Sequence, residues 1–139
     1  MKKATLLLCA VCCLTLAGCA RIWGPTAELE ALIKEKDDCI SEINKKLEAS
    51  PNEAGVDEAR KGFESHKASF EAKAKVLSDA PRSMNGDWLS RMAESESYDL
   101  KILQAMRIKF ITDCKGDCDA AEKKLSALDD DFRNATRMK

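Results

Sequence analysis

Cys114-Lys115-Gly116-Asp117-Cys118, residues 114–118, decides whether the last third of this 139-residue chain is one long helix or two. Upstream of it, Leu103, Met106, Phe110 and Asp113 recur at the three- and four-residue steps of one helix face. Extending that row by the same steps predicts positions 117, 120, 124 and 127, which hold Asp117, Ala120, Lys124 and Ala127. The apolar row that actually follows is Cys118, Ala121, Leu125, Leu128, Phe132 and Ala135, one residue out of step. A slip of one residue at a glycine is the mark of a turn, because glycine alone enters left-handed backbone without penalty. Two helices are therefore expected, with Asp117 as the N-cap of the second.

Outward from that turn the same periodicity continues. Leu29, Ile33, Ile40, Ile43 and Leu47 form a stripe from Thr26 to about Ala49, interrupted only by Lys36. Thr26 suits an N-cap, and Glu28 and Glu30 suit the positive end of the helix dipole. Ser50-Pro51-Asn52-Glu53-Ala54-Gly55 is rich in turn formers and ends the helix. A second stripe runs Val56, Ala59, Phe63, His66, Phe70, Ala74 and Leu77, with Asp57 as its cap, until Asp79-Ala80-Pro81 stops it. After the turn at Asn85-Gly86, Asp87 opens a third segment carrying Trp88 or Leu89, Met92, Leu103, Met106 and Phe110, with a polar patch from Glu94 to Ser97.

The fold class expected is all-α: an antiparallel, up-down-up-down bundle of about four helices with coiled-coil-like packing and short loops. The alternative is a pair of extended helical hairpins that dimerise as a coiled coil. With 34% charged and 5% aromatic residues the composition belongs to long helices, and no run alternates long enough for a sheet.

The amino-terminal segment has a different character. Lys2 and Lys3 precede an apolar run from Ala4 to Ala17, closed by Gly18 before Cys19. The run is shorter than the ~20 residues a spanning helix needs and within the roughly 7–15 of a signal h-region. Small Ala17 and Gly18 suit a peptidase pocket, so residues 1–18 read as a removed export signal.

Leu16-Ala17-Gly18-Cys19 also resembles the lipobox of bacterial lipoproteins in all four positions, at the expected distance behind the hydrophobic run. The resemblance covers only the first twenty or so residues. It implies cleavage between Gly18 and Cys19, diacylglycerol on the Cys19 sulfur and a further acyl chain on the new amino terminus. Two or more chains anchor stably, at ~0.8 kcal/mol per buried CH₂. Ala20 stands where an Asp would retain such a protein at the inner membrane, which favours the outer membrane, facing the periplasm. Residues 19–26 would be the lipidated terminus and a short tether, with Trp23 placed for the headgroup level or the bundle base. Residues 27–139 would form a single helical domain.

Removing Lys2 and Lys3 from the 23 basic residues leaves 21 against 24 acidic ones. That balance excludes the basic surface that nucleic acid requires. Of seven cysteines, Cys9, Cys12 and Cys13 leave with the signal and Cys19 carries lipid, so three remain. In an exported chain a disulfide is expected. Cys114 and Cys118 flank the turn, whereas Cys39 lies ten residues of helix, ~15 Å, from the first turn. The pair Cys114–Cys118 is favoured, with Cys39 as the alternative partner. The same cysteines with His66 match the ligand count of a Cys₃His zinc site, but the spacing and compartment argue for a disulfide, so no metal is expected.

No catalytic residue is identified. Catalysis would have to rest on Glu94, Glu96 and Asp99, which read as a solvated helix face, as does Asp129-Asp130-Asp131. Asn134-Ala135-Thr136 forms a glycosylation sequon but falls inside a helix. Ile102, Ile108 and Ile111 flank the third stripe, so that helix is apolar on more than one side and is expected to be either central in the bundle or an interface. The expectation is a non-catalytic envelope lipoprotein without cofactor beyond its covalent lipid, working through a helix face on a protein partner or on itself. The alternative is an envelope redox protein or carboxylate-based hydrolase.

Overall fold

A computed structural model describes residues 26–80 and 86–138, with side chains placed for 27–80 and 90–138. The described residues form four helices: α1 (Thr26–Ala49), α2 (Glu53–Asp79), α3 (Gly86–Asp113) and α4 (Cys118–Thr136). The lipobox, Gly18, Cys19 and Trp23 lie outside the described residues, as do the side chains of Trp88 and Leu89.

The turn at 114–118 is present. α3 ends at Asp113, Gly116 takes a left-handed φ of 90°, and Asp117 caps α4 by accepting a hydrogen bond from the Ala120 amide at 3.0 Å. At the other hairpin the boundary moves. α2 begins at Glu53, not after Gly55, because Asn52 is the N-cap and accepts from the Gly55 amide at 3.1 Å. Gly55 is thus a first-turn helical residue, and its role is close approach: a Cβ there would collide with the Ser50 carbonyl oxygen. The two turns meet, since the Lys115 amide donates to the Pro51 carbonyl at 2.7 Å.

Side-chain contacts between charged and polar groups give the helix directions. Glu35 on α1 meets Lys73 on α2 while Glu42 meets His66, so these helices are antiparallel. Glu30, Lys36 and Glu48 on α1 meet Arg91, Asp99 and Lys109 on α3, so these run parallel. Lys124 and Asp131 on α4 meet Asp57 and Arg60 on α2, again in parallel. Up-down-up-down order holds, yet α3 sits beside α1 and α4 beside α2, while α2 and α3 are not among the extensively packed pairs. Sequence periodicity reports which residues face inward, not which neighbour they face, so this crossing was not legible.

The core is continuous from Leu29 and Leu32 through Phe63, Phe70 and Phe132 to Leu103 and Phe110. It lies inside one bundle, which displaces the alternative of extended hairpins that must dimerise to bury their stripes. The contact is closest where α2 packs between α1 and α4; α3 joins more loosely. Phe63, Phe70 and Phe132 are fully buried with ring centroids 5.6–6.5 Å apart, within the range of favourable aromatic pairs. Among the described residues no helix is long and apolar enough to cross a membrane.

Candidate functional site

The break at Lys36 in the α1 stripe has a partner. Lys36 is 5% exposed and forms an ion pair with Asp99 of α3, itself 7% exposed, while its ammonium also donates to Ser95 Oγ at 3.0 Å. Asp99 therefore does not lie on the solvated face expected of it; Glu94 and Glu96 do. The polar patch on α3 and the interruption on α1 are one feature seen from two helices. Burial pushes the Asp99 carboxyl above its ordinary range, and the Lys36 ammonium offsets only part of that.

Beside this pair the loose seating of α3 leaves a cleft of about 250 Å³ between α3 and α4. Leu100, Leu103 and Phe132 form its apolar wall, and Glu96, Arg133 and Arg137 stand among its polar residues. It is smaller than the ~300–1,000 Å³ of most ligand pockets. Asp99 spends its charge on Lys36, and Arg133 is held in a two-bond pair by Asp129, so these groups serve the bundle.

A second polar cluster joins α1 to α2. His66 leaves the core face expected of it: its ring stacks on Phe70 at 5.8 Å, and Nδ1 lies 3.1 Å from Glu35 Oε1. Glu35 Oε2 accepts from Ser69 at 2.8 Å and from Lys73. Burial would raise the Glu35 carboxyl, but the hydrogen bonds from Lys73, His66 and Ser69 outweigh it and hold the group below its ordinary value. A lowered folded value means stability present above the unfolded pKa, ~4.3, and lost as pH falls through the folded one. Glu35→Gln should accordingly destabilise the protein at pH 7, and its deficit against wild type should shrink in urea melts taken below about pH 4.

The cysteines separate by environment. Cys114 and Cys118 stand at disulfide distance across the turn, Cα atoms 5.9 Å apart, as the spacing predicted. Cys39, the alternative partner, is a free thiol buried in the core at 1% exposure, and burial pushes its pKa up to about 12. The thiolate is the reactive form, so the folded protein should take up no iodoacetamide at Cys39. Unfolding in urea without reductant should expose that thiol, read as one added label on the Cys39 peptide by mass spectrometry. Among the described residues no three His, Cys, Asp or Glu side chains gather as metal ligands.

Of the three isoleucines that flank the α3 stripe, two fall on the outward face of that helix. Ile108 is 68% and Ile111 45% exposed, with Leu100 at 40%. Ile102 does not share this face; it turns toward α1 and packs against the core. Ser90, Ala93, Ser97, Leu100, Gln104, Ile108 and Ile111 follow one another at steps of three and four, all exposed and none charged. Outer rows on α1 and α4 carry Lys34, Asp38, Lys45 and Glu48, and Asp119, Lys123 and Asp130, whereas α2 has a shorter uncharged row of its own, Ser65, Ala68, Ala72 and Val76. The α3 row is the longer of the two and holds three large apolar residues, Leu100, Ile108 and Ile111, where the α2 row holds only Val76. The α3 members Ser90, Ala93, Ser97, Leu100 and Gln104 were missed because small and polar residues leave the apolar count unchanged; the absence of charge was the signal.

Comparison of the chain with protein-family models, with curated proteins and with solved structures returns no match.

Proposed function

We propose that the mature chain is a lipid-anchored cell-envelope protein, tethered through Cys19 to the outer membrane, that acts without catalysis by presenting the outer face of α3 to a protein. The lipobox resemblance carries the anchoring. The binding role rests on one observation, the exposed uncharged row centred on Leu100, Ile108 and Ile111. Fold requirements do not explain that row, since Leu103, Met106 and Phe110 already supply the inward face of α3. Nor do they explain why the most weakly packed helix keeps Leu100, Ile108 and Ile111 outside as well.

The test is a pull-down from envelope membranes with the full-length chain and with Ile108→Glu/Ile111→Glu. Both positions are exposed, so the double variant should fold and melt within a few degrees of wild type. A binding partner retained by wild type and lost by the variant is the expected result. An unchanged set of bound proteins would overturn the role of this face.

A further inference from the structure

We infer that the outer face of α3 binds α3 of a second copy of this chain, antiparallel, about a two-fold axis near Leu100; this rests on the helix-face reading above and names its partner. The face is graded by size along its length. Its first half offers Ser90, Ala93 and Ser97, and its second half Gln104, Ile108 and Ile111, all exposed. Antiparallel pairing sets each small residue against a large one, Ala93 against Ile108 or Ile111 of the other copy, with Leu100 near Leu100. Parallel pairing sets small on small and large on large, leaving a gap at one end and crowding at the other.

Charge follows the same gradient. Beside the face, Glu94 and Glu96 lie in the first half and Lys101 and Arg107 in the second. Glu94, Glu96 and Lys101 take part in no ion pair among the described residues, so they remain available. Turning the second helix end for end brings Glu96 opposite Arg107 of the other copy, twice by symmetry. Arg107 already meets Glu122 at 2.7 Å and is 42% exposed; a guanidinium has donors for both carboxylates. A helix whose two halves complement each other in size and charge is complementary to itself, the condition for an isologous two-fold contact.

α1 and α3 run parallel, so the two tethers leave from opposite ends of the pair. The 28 residues of α3 span ~42 Å.

The experiment places a photo-crosslinking amino acid at Ile108 in the full-length chain, expressed in bacterial cells and irradiated in place. The expected product has twice the mass of the chain, with the cross-link mapped to residues 90–97 of the second copy. Glu96→Arg and Arg107→Glu should each reduce its yield roughly tenfold, about 1.4 kcal/mol, and the double swap should restore it. A doubled product mapped to residues 104–111 would mean parallel pairing and overturn the inference. Cross-linking only to another protein would overturn self-pairing while leaving the helix-face reading standing. No adduct of any kind would remove both.

Discussion

Lys36→Met alone should cost about 3–5 kcal/mol of stability, whereas Lys36→Met with Asp99→Leu should fall within about 1 kcal/mol of wild type or exceed it. The single change leaves the Asp99 carboxylate, 7% exposed, without its counter-ion. Asp99 already sits above its ordinary pKa because of burial, and losing the ammonium raises it further. A carboxyl whose folded pKa is raised binds its proton more tightly when folded, so stability falls as pH rises through that window. Lys36→Met should therefore recover part of its loss as pH is lowered from 7 toward about 4. Urea melts of the four proteins of the cycle at both pH values give the coupling energy directly. A coupling near zero would mean that water, not Lys36, compensates Asp99.

The second large effect lies at the aromatic centre. Phe70→Ala should cost about 3–5 kcal/mol, because the ring is fully buried and its removal opens a cavity between two helices that are already closely packed. Phe70 is the hub of the cluster, 6.5 Å from Phe63, 5.6 Å from Phe132 and 5.8 Å from His66. Phe70→Leu keeps most of the volume and should cost less than half as much. Ile111→Ala, on the outer face, should shift the urea midpoint of the monomer little, since 45% of that side chain is in solvent already.

Much of this fold was readable from spacing alone. The one-residue slip at Gly116 located the α3–α4 turn, and the rows through Val56–Leu77 and Ala121–Ala135 are buried almost throughout. The Cys114–Cys118 placement followed from a turn four residues long. Two things were less legible. His66 stands at a core position by period, but an imidazole near two carboxylates tilts to the α1–α2 seam and meets Glu35. Lys36 and Asp99 each looked like a flaw in, or an exposed flank of, an apolar stripe. Only the crossing that puts α3 beside α1 shows that a base on one stripe answers an acid on the other. A charge at a core phase in one helix is thus worth matching against opposite charges at the core phase of every other helix.

The candidate surface was legible by half. Ile108 and Ile111 stand out because apolar residues off the main stripe demand an explanation, and both are exposed. Ile102 demanded the same explanation and has another one, packing in the groove beside α1. The rest of the face is defined by what it lacks, charge, and that property becomes visible only once α3 has been oriented in the bundle.

In the function proposed above, Cys19 is the first residue of a membrane-tethered bundle that works through the surface of α3. Intact mass of the protein extracted from envelope membranes tests it most directly. The expected species is a chain beginning at residue 19 and heavier than its amino-acid mass by a diacylglycerol and an acyl group, with Cys19→Ser unprocessed or released. An unmodified chain, or one that stays membrane-bound with the same mature mass after Cys19→Ser, would contradict it.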